Sequence, residues 1–214
     1  MTLESSLPYL SAVAALAGAA TAGGAAPRAE RAWKCAALGT LGLFAYLRGI
    51  TPAAVALALI LGAAGVAMAV RGSARWASTG AGLLAAGALS FAYLFIKSGG
   101  GVIVLLAQPW RVGALLAVLL LAGAGVASLR ARVSGPRGGV GANVVALVVM
   151  TAASLTLPLS AWPAMAGAVL ATAAEAALLG AAFGRWPPEG PQVQRLAWTG
   201  GYLGQAAMAY AFLR

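Results

Sequence analysis

The chain reads as a series of almost uncharged apolar runs, each close to the thickness of a lipid bilayer, separated by short segments that carry most of the basic residues. A helix crosses the hydrocarbon core in about 20 residues, with a range near 17–25. That ruler divides the sequence into eight candidate spans, at 7–26, 32–47, 52–70, 76–96, 112–129, 141–157, 161–183 and 196–213. The expected fold is all-α: one transmembrane domain over 1–214, a polytopic bundle of eight transmembrane helices. The second span is short and keeps Lys34 near its end, where a long aliphatic stem lets the ammonium reach the interface. Between Lys97 and Arg111 the apolar run 102–107 is too short to cross. With Pro109-Trp110 behind it, this segment reads as an interfacial loop or re-entrant piece. Pro27-Arg28, Gly135-Pro136-Arg137 and Trp186-Pro187-Pro188 mark the clearest breaks.

Composition supports a lipid solvent. Hydrophobic residues make up 62% of the chain and charged ones only 8%, whereas soluble domains carry about 25% charged residues. A single soluble core of this size has too little interior to hide so much apolar surface. The net charge of +10 would suggest nucleic acid in a soluble protein. Here the basic residues fall singly at the ends of apolar runs, without a patch or interleaved aromatics, so no nucleic-acid partner is expected and membrane lipid is. Loops after spans one, three, five and seven hold Arg28, Arg31, Lys34, Arg71, Arg75, Arg130, Arg132, Arg137, Arg185 and Arg195. The opposite side holds Arg48, Lys97, Arg111 and Arg214. Positive residues collect on the cytoplasmic side, so both termini are expected outside, in a bacterial cell (inner) membrane. Met1 to Pro8 contains Glu4 and no Lys or Arg, unlike the basic start of a secretory signal, so the first run is expected to remain as a span.

Several chemistries are excluded by what is missing. There is no histidine, one cysteine (Cys35) and four carboxylates, Glu4, Glu30, Glu175 and Glu189. Zinc and di-iron sites lack ligands, and serine–histidine or cysteine–histidine nucleophiles cannot be assembled. The glycines follow no phosphate-loop spacing. No metal and no cofactor are expected. Alanine and glycine dominate the spans and let helices approach closely. The Gly200/Gly204 pair offers a face for a possible homodimer.

Glu175 is the sharpest single feature, a carboxyl in mid-span with no cation near it in sequence. An ionised carboxylate at that depth costs roughly 2.5–3.5 kcal/mol on insertion scales. It must face a polar cavity, find a cation or stay protonated. Other polar residues at depth could share its cavity: Asn143, Thr151 and Ser154 on span six, Ser90 and Tyr93 on span four, Tyr202 and Gln205 on span eight. Lys34 is a candidate partner for a buried anion. Residues three apart share a helix face, so each pair can project into one space.

These residues resemble the YhhN-like membrane proteins, eight-span proteins of about this length whose characterised members are lysoplasmalogenases. Gly82, Ser90 and Tyr93 fall where that family has Gly, His and Tyr on its fourth span. Gly167-Ala168 with Ala174-Glu175 lies in register with its Gly-Ala and Ser-Asp pairs. Tyr202, Gly204 and Gln205 resemble its closing motif, and Lys34 matches a Lys opening its second span, with Cys35 where a Pro is usual. The chain departs at Gly65-Val66, where the family has Gly-Asp, at Ser90 and at Glu175.

The resemblance implies a hydrolase that cleaves the vinyl-ether bond of lysoplasmalogens, giving a fatty aldehyde and a glycerophospho-alcohol. Glu175, Tyr93 and Ser90 would then be catalytic, with Glu175 the acid. Lys34, Tyr202, Gln205 and Asn143 would bind a lysophospholipid or similar amphipathic molecule. Val66 removes a second carboxylate, so the alternative expectation is a non-catalytic membrane protein that binds or transports a lipid or solute.

Overall fold

A computed structural model describes residues 3–22, 27–48, 53–69, 74–130, 138–182 and 191–212. Arg71, Arg132, Arg137, Arg185, Glu189, Arg214 and the breaks at Gly135-Pro136-Arg137 and Trp186-Pro187-Pro188 lie outside those residues. The described chain is all-helical. Its helices are α1 (Leu3–Thr21), α2 (Pro27–Leu47), α3 (Ala53–Ala69), α4 (Ala74–Ser98), α5 (Gly101–Leu106), α6 (Pro109–Arg130), α7 (Gly138–Ser154), α8 (Trp162–Ala182) and α9 (Pro191–Ala211), with a 3-10 turn at Leu159–Ala161 before α8. One long helix covers most of the described residues of each of the eight apolar runs. Proline opens α2, α6 and α9, where its missing N–H costs nothing.

The Lys97–Arg111 segment differs from a plain loop. It contains the short helix α5, and α6 begins at Pro109. Gly101 makes the tight entry possible, because its φ of +69° is a region that a side chain disfavours.

Helices α1 to α4 pack in succession, α4 lies on α7, α8 pairs with α9, and α9 returns to α1 and α2. Seven helices thus close around a common interior, while α6 rests lightly on α7 and α5 at the outside. The closeness of the pairs is set by glycine. A Cβ on Gly204 would stand 2.6 Å from the Gly167 carbonyl oxygen, and one on Gly65 would stand 2.9 Å from that of Gly80. The Gly200/Gly204 face is therefore occupied within the chain, by Leu170, Ala171 and Ala174 of α8.

The outer surface is apolar along the helix middles. Leu16, Leu57, Ile60, Leu89, Leu120, Val145 and Leu203 are all exposed, Leu120 by 75%. One end of the bundle carries exposed Tyr9, Tyr46, Tyr93, Trp110, Trp162 and Tyr210, and the other end carries Trp33 and Trp76. Stacking of Phe95 on Phe212 and a tilted contact of Phe44 with Tyr210 gather the ends of α4, α2 and α9 at the first of these. Among the described residues, one helix, Ser78–Ser98, is both long and apolar enough to cross a membrane by itself. Ser6–Thr21, Ala53–Met68, Pro109–Leu120 and Gly139–Ser154 are apolar but shorter.

The aromatic-rich end is fastened by Arg111. Its side chain is fully buried; Nη1 donates to the carbonyls of Leu155 and, at 2.6 Å, Leu157, and Nε donates to Gln108 Oε1 at 2.8 Å. A cation on carbonyls just past a helix C-terminus meets the negative end of the helix dipole. Beside it the Gly100 N–H donates to Thr156 O at 3.0 Å. One arginine and one backbone bond therefore join the α4–α5 turn, the start of α6 and the end of α7.

Candidate functional site

Five helices leave a gap where their small residues meet. Ala58 and Gly62 of α3, Gly87 and Phe91 of α4, Asn143 and Leu147 of α7, Glu175 of α8 and Gln205 of α9 line an interior cavity of about 30 Å³. A cavity must offer roughly 10–15 Å³ to hold one water, so this one has room for about two. Two wall positions lack side chains. Gly87 lets α4 approach so closely that a Cβ there would lie 2.9 Å from the Ala58 carbonyl oxygen. A Cβ on Gly62 would meet Gln205 Oε1 at 3.4 Å.

Three polar groups converge on that cavity. Glu175 projects from α8 about 10 Å before its C-terminal end, counting 1.5 Å per residue. The Asn143 carboxamide, 1% exposed, stands beside the Glu175 side chain from α7. Gln205 approaches from α9. Asn143 Oδ1 and Gln205 Oε1 are both buried without a hydrogen-bond partner among the described residues. No cation pairs with Glu175 there, and no cluster of three metal-ligating His, Cys, Asp or Glu side chains occurs among the described residues.

The other expected site residues stand elsewhere. Lys34 bonds to Glu30 at 2.5 Å, one helical turn back, and its ammonium lies 5.1 Å from the Trp198 ring centroid. It does not reach Glu175. Tyr202 Oη shares a 2.7 Å hydrogen bond with Ser11 Oγ, which also donates to Ala37 O at 2.7 Å. Ser90 Oγ donates back to Ala86 O at 2.9 Å on its own helix. Tyr93 is exposed on the outer surface. Neither lines the cavity, because α4 turns Leu84, Gly87, Ala88 and Phe91 inward. Thr151 pairs with Thr172 Oγ1 at 2.7 Å, and Ser154 donates to Thr151 O at 2.7 Å. Val66 packs against the hydrophobic core. Cys35 is half-buried, its thiol 3.4 Å from Ala63 O.

Of the seven residues expected to act together, the cavity unites Glu175, Asn143 and Gln205. Sequence reasoning missed Gly62 and Gly87, which line the cavity wall, Ser11, which occupies Tyr202, and Arg111, which resembled an ordinary interfacial cation. Ser11 alone had a signal, as a hydroxyl inside an apolar run facing the same end of the bundle as Tyr202.

Chemically, the site holds a carboxyl that can give or take one proton, a neighbouring amide that orients it, and space for water. Comparison with family models, with curated proteins and with solved structures finds no match to this chain.

Proposed function

We propose that the chain is an eight-span membrane protein of the YhhN-like kind and acts as a lysoplasmalogenase-like hydrolase with Glu175 as its acid. The membrane reading is supported by exposed leucines at the helix middles and by aromatic residues at both ends, the pattern of a lipid-facing surface with interfacial girdles. It needs the shorter apolar helices to act as a group, since Ser78–Ser98 alone meets the length and hydropathy of an isolated span.

The observation that carries the catalytic reading is the convergence of Glu175, Asn143 and Gln205 on one water-sized cavity. Vinyl-ether hydrolysis needs those elements. A protonated Glu175 transfers its proton to the β-carbon of the vinyl ether and leaves an oxocarbenium ion. Water held between the amides adds to the α-carbon and returns a proton to the carboxylate. The hemiacetal then collapses to aldehyde and alcohol.

Purified protein in detergent, offered lysoplasmenyl-ethanolamine, should release fatty aldehyde, and Glu175→Gln should reduce the rate by about 100-fold or more, as for loss of a general acid. Folded wild-type protein that releases no aldehyde would sink the hydrolase reading. An undiminished rate in Glu175→Gln would sink the assigned acid.

A second reading, non-catalytic binding or transport of a lipid or solute, is favoured by the cavity's size and by the separation of Ser90, Tyr93 and Lys34 from it. It predicts saturable lysophospholipid binding with no product.

A further inference from the structure

The cavity holds two amide oxygens that no donor answers. Asn143 Oδ1 and Gln205 Oε1 are both buried and unmatched, and the Glu175 carboxyl faces the same space. The wall between them is built from Ala58, Leu147, Met150 and Met208, whose side chains offer no N–H or O–H. Buried polar atoms are nearly always paired, because their lost hydration must be replaced. Protonating Glu175 supplies a single O–H, which answers one of the two amide oxygens and leaves the other bare. A cation among the three groups answers both.

We propose that this cavity binds Na⁺, held by the Glu175 carboxylate, Asn143 Oδ1 and Gln205 Oε1, with water completing the shell. Charge selects a monovalent ion. One carboxylate neutralises one positive charge, whereas a divalent ion would leave a net charge among apolar helices. Ligand type selects a hard ion, since all three donors are oxygen. Size selects a small one, since about 30 Å³ admits an ion with a water and excludes a fully hydrated ion. Gly62 belongs to the site by omission, its bare Cα leaving room for the Gln205 head group.

Sodium and a proton compete for the same carboxylate, so sodium binding weakens as pH falls. No other titratable group among the described residues lines the cavity. Helices α3 and α7 carry none, Tyr93 of α4 is exposed, and Tyr202 of α9 is turned to Ser11. The sodium site stands whether or not the chain hydrolyses a lipid. If it does, bound sodium inhibits, because the occupied carboxylate has no proton to give.

The test is thermal unfolding of the purified full-length protein, with NaCl replacing choline chloride at constant ionic strength, at pH 8 and at pH 5.5. At a hundredfold excess over Kd the midpoint should rise by on the order of 5–10 °C at pH 8, and by less than half of that at pH 5.5. Glu175→Gln should abolish the sodium response, and Gln205→Leu should raise the half-saturating sodium about tenfold. Equal wild-type midpoints in the two salts at pH 8 would overturn the site. So would a full sodium response in both variants.

Discussion

Helix α9 borders two polar regions that differ in one respect. On one flank Tyr202 and Trp198 face α1 and α2, and each polar atom there is answered: Tyr202 by Ser11, Ser11 by the Ala37 carbonyl, the Trp198 indole N–H by Ala15 O at 3.1 Å, and Lys34 by Glu30. On the other flank, three residues along from Tyr202, Gln205 faces a cavity in which its own amide oxygen and that of Asn143 stay unanswered. Polar side chains on the two flanks of one helix thus do two jobs. Satisfied groups hold helices together. Unsatisfied ones keep their binding capacity for something that enters. Polarity in an apolar helix is therefore weak grounds for a site until its partners are counted.

Substitutions can break that contrast. The largest effect should come from Gly204→Leu at the α8–α9 crossing, which both regions share. A Cβ at this position would already stand 2.6 Å from Gly167 O and 2.7 Å from Ala171 N. The helices must separate, at a cost of about 3 kcal/mol or more. We expect a lowered unfolding midpoint together with loss of both aldehyde release and sodium response. Ser11→Ala strikes the satisfied flank alone, removing the two bonds of its hydroxyl and leaving the Tyr202 hydroxyl buried without a partner. Stability should fall by about 1 kcal/mol while the sodium response persists; loss of that response in a folded variant would mean the two flanks are not separate. The smallest effect on stability belongs to Gln205→Leu, which removes an unanswered polar group. The midpoint in choline should stay within about 0.5 kcal/mol of wild type or rise slightly, even as ligand response drops. A loss as large as that of Ser11→Ala would show that Gln205 has a structural partner after all.

Much of the helical framework was legible because length and apolarity are read directly, and each run's described residues are mostly helical. The site was legible in part. Glu175 stood out as an isolated carboxyl, and Asn143 and Gln205 as amides at depth. Ser90 and Tyr93 misled because spacing tells which side chains share a face, and not which face turns inward. In helices built from alanine and glycine, the inner and outer faces are almost equally apolar, so the pattern gives little contrast. On α4 the inward stripe runs through Leu84, Gly87, Ala88 and Phe91, none of them conspicuous. Lys34 was different: Glu30 lies one turn earlier on the same helix, and that pairing follows from i,i+4 geometry alone. Seeking a distant anion for Lys34 overlooked the near one.

The Arg111 clasp has a mechanical consequence. Rods bound together at one end can part only at the other, like the blades of tongs. Because α4, α6 and α7 are joined beside Leu155, Thr156 and Leu157, the helices around the Glu175 cavity are freer to part at the opposite end, where α7 begins and α8 finishes. A chain without an obvious gate thereby acquires a front and a back.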